Sequence, residues 1–167
     1  MNNKQSISYI FHLMRLEDAE NIVKWHYAPP YSIYNMSDDL EDIQELMDGS
    51  YYSVKNLENE LIGFFCFGKN AKIPAGIRQG MYLDQTALDI GLGLRPDLTG
   101  QGKGRDFLIA GLDFARKKYK PRKFRLSVAA FNKRAISLYK KVGFISKDTF
   151  INKDNETEFI LMELVFL

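Results

Sequence analysis

Cysteine, tryptophan and histidine are scarce in this chain, whose 167 residues include one Cys, one Trp and two His. A single cysteine excludes an internal disulfide, which suits a reducing cytoplasm. The neighbours of Cys66 are apolar, which favours a buried small side chain over a nucleophile. His12 and His26 are isolated from each other and do not make the ligand cluster of a metal site. The sequence therefore predicts chemistry without a metal and without a cysteine nucleophile.

Long hydrophobic runs are also missing, and no apolar stretch approaches the roughly 20 residues that cross a bilayer. The polar start at residues 1–6 lacks the hydrophobic segment of a signal peptide. Hydrophobic residues make up 46% and charged residues 26%, as in folded globular proteins. We therefore predict a cytoplasmic protein without a membrane partner, folded as a single domain over residues 1–167.

An excess of charge of one sign is absent too, because the formal net charge is +2. This balance does not favour nucleic acid as a partner. The charges are unevenly distributed: residues 1–60 hold four basic against eleven acidic residues, a net −7, which leaves +9 for the remainder. The basic run at 116–125 follows a predicted helix, where cations favour the helix dipole, so we interpret it as a solvated helix end. One part of the surface is expected to accept anions and another cations.

The spacing of apolar and turn residues predicts seven strands and four helices in the order βααβββαβαββ, an α+β fold with helices on both faces of the sheet. The predicted strands cover residues 8–14, 51–56, 61–67, 88–94, 125–129, 144–151 and 158–166. The predicted helices cover residues 18–26, 38–48, 103–118 and 132–142. Residues 68–84 are expected to be an irregular loop that shapes a pocket.

Glycines alternate at positions 100, 102 and 104, between a predicted strand and a predicted helix. Such a turn lets backbone N–H groups approach an anion closely, and the helix start adds its partial positive charge. A phosphate or pyrophosphate is the implied ligand. A Walker A loop is excluded because Gly104, and not Ser or Thr, follows Lys103. A Rossmann fingerprint is excluded by the order of the glycines, whereas a tight turn without a ligand stays open.

Two segments of the chain resemble the GNAT N-acetyltransferase superfamily. Residues 96–104 are similar to its acetyl-CoA-binding motif, and residues 128–144 are similar to its second signature, with Asn132, Tyr139 and Gly143 in register. The order of elements is also that of the family, so the resemblance covers essentially the whole chain and is weakest before Tyr51. It implies a mixed, mostly antiparallel sheet of about seven strands, and acetyl-CoA as co-substrate. Thr99 departs from the motif, which usually has Arg or Gln there.

The resemblance implies a set of residues that bind acetyl-CoA. The strand edge at Leu92 and Leu94 is expected to pair with the pantetheine arm, as an extended peptide would. Asn132 is expected to cap its helix and also to touch pantetheine. The pyrophosphate is expected on the backbone N–H groups of the glycine turn, whose residues are Thr99, Gly100, Gln101, Gly102, Lys103, Gly104 and Arg105.

Acetyl transfer from a thioester to an amine needs the amine neutral, which for a pKa of ~10.4 costs roughly 4 to 5 kcal/mol near pH 7. It also needs a proton donor for the departing thiolate. The resemblance assigns this role to Tyr139, although spacing alone also fits a core tyrosine. For the base it points to Asp89, on the strand before the glycine turn; a chain of water molecules is the alternative.

The acceptor site is expected at the loop between the first two helices. Its aromatic residues are Trp25, Tyr27, Tyr31 and Tyr34. Together with the acidic second helix they suit a cationic amine, whereas an aromatic cluster that only fixes a proline-bent loop is the other interpretation. The predicted function is direct acetyl transfer from acetyl-CoA to a primary amine of a small molecule or peptide. A non-catalytic CoA-binding module and a transferase for another acyl-CoA remain alternatives, and a homodimer is compatible with the resemblance.

Overall fold

The computed structural model describes residues 9–166 and is built around one sheet. Its strands are β1 Ile10–Leu13, β2 Tyr51–Lys55, β3 Leu61–Phe67, β4 Ala87–Leu94, β5 Lys123–Ala129, β6 Ile145–Asn152 and β7 Thr157–Val165. They lie in the order β1-β2-β3-β4-β5-β7-β6. β4 and β5 are parallel, and the other five neighbouring pairs are antiparallel. The first predicted strand began at Ser8, which lies outside the described residues.

Five helices connect these strands in the described part of the chain. They are α1 Leu16–Ile22, α2 Leu40–Leu46, α3 Pro74–Arg78, α4 Gly104–Tyr119 and α5 Lys133–Val142. The predicted α+β fold is confirmed, with one correction in the stretch expected to be irregular. That stretch contains a 3₁₀ turn at Lys69–Ala71 and the short helix α3. Pro74 is compatible with α3 because it stands in the first turn, where its missing N–H would have no helical partner.

Helices cover both faces of the sheet because β3 alternates its side chains between two apolar clusters. Phe65 and Phe67 pack in the cluster that holds the buried residues of α4 and α5. Phe64 and Cys66 pack in the cluster that holds those of α1 and α2. This period of two is that of a strand buried on both sides. No helix within residues 9–166 has the length and apolar character to span a membrane.

The two parallel strands β4 and β5 separate part way along their length. Their last paired residues are Asp89 and Arg125. Beyond this point β4 continues along β3 as far as Leu94, while β5 continues along β7 as far as Ala129. An opening therefore lies in the middle of the sheet, at the carboxyl ends of both strands, next to the turn that leads into α4.

Candidate active site

A cavity of about 790 Å³ occupies this opening. It is lined by the second half of β4, the glycine turn, the start of α4, part of β5, one face of α5 and the loop after α1. The stretch between β3 and β4 also contributes. The cavity therefore brings together segments that stand more than 100 residues apart in the chain, from Ile22 to Lys141.

The glycine turn has the backbone that an anion site needs. Gly100 and Gly102 have φ of +71° and +75°, a left-handed conformation that glycine adopts readily. A Cβ built on Gly102 would meet no atom within 4 Å, so the backbone there faces open space. No side chain caps the first turn of α4. Its N–H groups are therefore oriented to hold negative charge, as the sequence predicts for a pyrophosphate.

The side chains of this turn differ in what they can contribute. Thr99 Oγ1 donates to the carbonyl of Pro96 at 2.7 Å, and Gln101 Nε2 donates to that of Asp97 at 2.7 Å. Thr99 and Arg105 line the cavity, whereas Gln101 and Lys103 do not. The turn thus presents mainly its backbone to a ligand, supplemented by one arginine.

Arg134 is a candidate binding residue that sequence reasoning missed. Its guanidinium stacks on the ring of Tyr31, with 4.8 Å between the guanidinium carbon and the ring centroid. The same group lies over the glycine turn, because a Cβ on Gly100 would be 3.1 Å from Arg134 Nη1. The signal was available, since Arg134 is two residues after Asn132 and so in the first turn of α5. A second cation therefore lies beside the proposed anion site.

The predicted strand edge faces the cavity. Arg95 N–H donates to Ile62 O and Gly68 N–H to Asp89 O, so the odd-numbered residues of β4 direct their backbone groups to β3. In an antiparallel pair the groups of the alternate residues face the other way. The N–H and C=O groups of Leu92 and Leu94 therefore face the opening beyond the last β4–β5 pair. Leu94 O already accepts from Tyr27 Oη at 2.7 Å.

Tyr139, the predicted proton donor, lines the cavity and is only 8% exposed. Burial raises its pKa well above the usual range, and nearby Tyr34 raises it further. Asn132 caps α5 as predicted, with Oδ1 accepting from Ala135 N–H at 3.2 Å. Asn132 Nδ2 donates to Tyr34 Oη at 3.2 Å, which ties the loop after α1 to the start of α5. Tyr139, Tyr34 and Asn132 thus form one polar group on the cavity wall.

The predicted base, Asp89, is placed differently from expectation. Its carboxylate accepts from Arg125 Nε at 2.7 Å and from Nη2 at 2.8 Å. The two side chains are 4% and 2% exposed, and neither lines the cavity. Both carboxylate oxygens are therefore occupied in a buried ion pair at the point where β4 and β5 part. Two sequence interpretations need correction here: Asp89 is not positioned to accept a proton from an acceptor, and Arg125 is not part of a solvated helix end.

The four aromatic residues predicted for the acceptor site all line the cavity. Trp25 packs against Phe64 with ring centroids 6.1 Å apart. Burial raises the pKa of Tyr27 to about 12, so its hydroxyl stays protonated. The acidic second helix, in contrast, contributes no residue to the lining, and this part of the expectation is wrong. Its apolar residues Ile43 and Leu46 pack towards the sheet, whereas Glu41 is exposed and Glu45 accepts a hydrogen bond from Tyr51 Oη.

The stretch between β3 and β4 shapes the cavity, as predicted. Asn70, Ala71 and Ile73 belong to the lining. The stretch is fixed by Tyr82, whose Oη accepts from Ile73 N–H at 3.0 Å and lies 2.6 Å from Ser127 Oγ. Ser127 is on β5, two residues beyond the last β4–β5 pair, and it lines the cavity as well. Sequence reasoning did not single out this tyrosine–serine contact.

Cys66 lines the cavity but remains an unsuitable nucleophile. It is 4% exposed, and burial raises the pKa of its thiol to about 12. The thiol is therefore protonated at neutral pH. Within the described residues no cluster of three or more His, Cys, Asp or Glu is arranged to hold a metal ion.

The chain and its fold are similar to known acetyltransferases. The model of the acetyltransferase (GNAT) family matches residues 16–144. No curated relative matches the sequence. Similar solved structures include a chimera of the Vibrio cholerae spermidine N-acetyltransferase SpeG and hSSAT, with 18% identity, 94% of this chain and 95% of that chain covered, and a TM-score of 0.68. An acetyltransferase of the GNAT family from Bacillus anthracis has 16% identity, coverage of 95% and 97%, and a TM-score of 0.65. A dodecameric spermidine N-acetyltransferase from Vibrio cholerae has 16% identity, coverage of 94% and 93%, and a TM-score of 0.66.

Proposed function

Because the chain belongs to the acetyltransferase (GNAT) family, we propose that it transfers an acetyl group from acetyl-CoA directly to a primary amine of a small molecule or peptide. One observation carries this proposal: a single cavity joins the glycine turn, the open edge of β4, Tyr139 and the aromatic loop. A binding module needs the first two of these features. The buried tyrosine and the aromatic compartment beyond it are what a transfer reaction adds.

The proposed binding of acetyl-CoA uses backbone and charge together. The N–H groups of residues 100–105 hold the pyrophosphate, and the guanidinium groups of Arg105 and Arg134 add opposite charge beside it. The backbone groups of Leu92 and Leu94 pair with the amides of the pantetheine arm. Asn132 supports this arrangement through its contacts with α5 and Tyr34.

The proposed reaction forms a C–N bond and breaks the C–S bond of the thioester. The attacking amine loses a proton, and the departing thiolate gains one. Tyr139 donates its hydroxyl proton to that thiolate, and its raised pKa keeps the hydroxyl protonated at alkaline pH as well as at neutral pH. Tyr139 then recovers a proton from water, which balances the proton released by the amine.

We propose that water, and not an acidic side chain, carries away the amine proton. Within residues 9–166 the cavity lining contains no carboxylate and no histidine. The largely apolar wall itself disfavours the charged ammonium form, because burial disfavours charge. The neutral amine needed for attack is therefore favoured without a base in direct contact.

Calorimetry with acetyl-CoA, followed by a thiol-release assay with a panel of amines, tests the proposal. Binding and amine-dependent release of CoA support it. Binding without release in the presence of any amine supports the rival CoA-binding module. Faster release from propionyl-CoA or a longer acyl-CoA than from acetyl-CoA supports a transferase for another acyl group, since the glycine turn contacts the nucleotide end and not the acyl end.

A further inference from the structure

The charged residues that line the cavity are all cationic. Within the described chain they are Arg105, Arg134 and Lys141. They belong to α4 and α5, on the side of the glycine turn. No aspartate or glutamate accompanies them in the lining, although the first 60 residues alone contain eleven acids. The wall is therefore electrostatically suited to the phosphates and offers no carboxylate partner for a cationic acceptor.

Two acids beside the cavity lining, Asp48 and Glu45, are engaged in other contacts. Asp48 Oδ1 accepts hydrogen bonds from Ser50, and Asp48 Oδ2 accepts one from Nδ2 of Asn70, which lines the cavity. Glu45 Oε2 accepts from Tyr51 Oη at 2.9 Å. These carboxylates hold the start of β2 and the stretch after β3, and neither of them lines the cavity.

Part of the cavity wall, formed by the end of α1 and the loop after it, β3 and the stretch before α3, is apolar. We call it the acceptor compartment and define it by six lining residues: Ile22, Trp25, Tyr27, Met36, Phe64 and Ile73. The polar groups of these side chains are the indole N–H of Trp25 and the hydroxyl of Tyr27, which donates its proton to Leu94 O. Aromatic faces can attract one cation, but they are much weaker partners than carboxylates.

A polyamine and a monoamine differ in what this compartment must accommodate. Loss of one proton makes a monoamine neutral, and its apolar body then gains from burial. A polyamine keeps further ammonium groups after the reacting nitrogen is deprotonated, and each would lack a carboxylate partner in the lining. The compartment therefore favours the first class and disfavours the second, regardless of the substrates that similar folds accept.

From this we propose that the acceptor is an amine with one apolar, preferably aromatic, body and no second positive charge. The inference rests on the proposed acetyl transfer and specifies its substrate class. It departs from the polyamine acceptors named for the Vibrio cholerae proteins of similar fold.

The first experiment compares phenethylamine with spermidine in the thiol-release assay on the wild-type protein, with calorimetry of acetyl-CoA alongside. We expect kcat/KM at least about tenfold higher for phenethylamine. Equal or higher kcat/KM for spermidine overturns the inference and leaves the acetyltransferase proposal intact. Acetyl-CoA binding with no turnover of phenethylamine also overturns it. Failure to bind acetyl-CoA removes the proposed function itself, and the inference with it.

A second, independent readout uses Trp25, the one tryptophan of the chain, which lines the compartment. Titration with phenethylamine in the presence of CoA should change its fluorescence in a saturable way at concentrations where spermidine has no effect. The same saturable change with spermidine at lower concentration contradicts the inference. This measurement does not depend on turnover.

The third experiment introduces the missing charge. Met36→Glu places a carboxylate in the compartment, and Met36→Gln is its neutral control of equal length. We expect the ratio of kcat/KM for spermidine to that for phenethylamine to rise about tenfold or more in Met36→Glu and to stay within about twofold of wild type in Met36→Gln. An equal ratio in the two variants contradicts the inference. If Met36→Glu fails to fold, the comparison of phenethylamine with spermidine on the wild-type protein tests the inference instead.

Discussion

Tyr139 is almost fully buried and lies on the cavity wall. Burial raises the pKa of its phenol because the charged phenolate would be poorly solvated. The hydroxyl therefore remains protonated over the whole range in which an enzyme is assayed. A proton donor in this position stays available when the amine is most reactive, at alkaline pH.

Replacing Tyr139 by Phe removes this donor with little change in shape. We expect kcat to fall by about 10²-fold or more, as for loss of a general acid, and the acetyl-CoA dissociation constant to stay nearly constant. Thiol release and calorimetry measure the two quantities. Tyr119→Phe, at the end of α4 and outside the cavity lining, is the matched control. An unchanged kcat in Tyr139→Phe contradicts the assignment.

The pH dependence distinguishes water from a side-chain base. Without a carboxylate or histidine as base, kcat/KM should follow the neutral fraction of the amine, so its logarithm rises with a slope of about 1 from pH 6 to 9. Because the pKa of Tyr139 is raised, the protonated acid persists to higher pH and no loss of rate should follow below about pH 10. A slope that steepens towards 2 at the acid end would reveal an enzymic base.

Asp89 has a structural role that its position in the sequence does not indicate. Its ion pair with Arg125 is buried, so removing one partner leaves an uncompensated charge. We expect Asp89→Ala to lower the free energy of unfolding by about 3–5 kcal/mol. Urea denaturation measures this value. The double variant Asp89→Leu with Arg125→Met should recover most of the loss, because neither charge is then left alone.

The control for this prediction is Asp97→Ala, which removes the partner of Arg95 in an exposed pair and should have a much smaller effect on unfolding. A catalytic base at position 89 would give the opposite pattern. In that case Asp89→Ala would abolish turnover while leaving the free energy of unfolding unchanged, and the structural assignment would be wrong.

At the scale of elements, the glycine turn and the two diverging strands act together. β4 supplies an edge with outward backbone groups, and the turn that follows it supplies N–H groups at the start of α4. Divergence after the Asp89–Arg125 pair creates the space between them. The insertion between β3 and β4 fills the other side of that space, held by Tyr82.

The turn can be tested by adding a side chain where φ is positive. In Gly102→Ala the left-handed backbone costs about 1–2 kcal/mol, and the shifted backbone should weaken acetyl-CoA binding at least about tenfold. Gly49→Ala is a matched control, since Gly49 has φ of +96° in open space after α2, away from the cavity. It should lose comparable stability and keep its affinity for acetyl-CoA, measured by calorimetry. Equal affinities in the two variants contradict an anion-binding turn.

For the whole molecule, the net charge of +2 is the sum of an acidic first part and a basic remainder, and the fold changes how this distribution is interpreted. None of the charged residues that give the first 60 residues their net charge of −7 is in the described cavity lining, whereas three cationic residues of the remainder are. Under the proposed function, the charge asymmetry therefore bears on acetyl-CoA and not on the acceptor. A homodimer and the single-domain organisation over residues 1–167 stay predictions, which analytical ultracentrifugation and limited proteolysis can examine.

Salt concentration should affect the binding of acetyl-CoA and the binding of the amine differently. Raising ionic strength screens the attraction between the cavity's arginines and the phosphates, so the acetyl-CoA dissociation constant should increase. The Michaelis constant for phenethylamine should change little, because no carboxylate in the described lining attracts it. Calorimetry for acetyl-CoA and steady-state kinetics for the amine, each at 50 mM and 500 mM salt, about a tenfold range, measure the two quantities. A marked rise of the Michaelis constant for the amine with salt would show that acids guide the acceptor after all.

The sequence alone determined the features whose signal is local. Alternating glycines before a helix predict a left-handed, anion-binding turn, and the interval from Asn132 to Tyr139 places a cap and a buried tyrosine on one helix face, because both depend on residues that are neighbours along the chain. The tertiary structure decided which distant groups meet. Asp89 became an ion-pair partner because strand pairing brings Arg125 beside it, and Arg134 reached the glycine turn because α5 packs near the start of α4. The described lining contains no carboxylate because α2 directs Ile43 and Leu46 to the sheet and contributes no residue to the cavity, which composition and spacing do not specify.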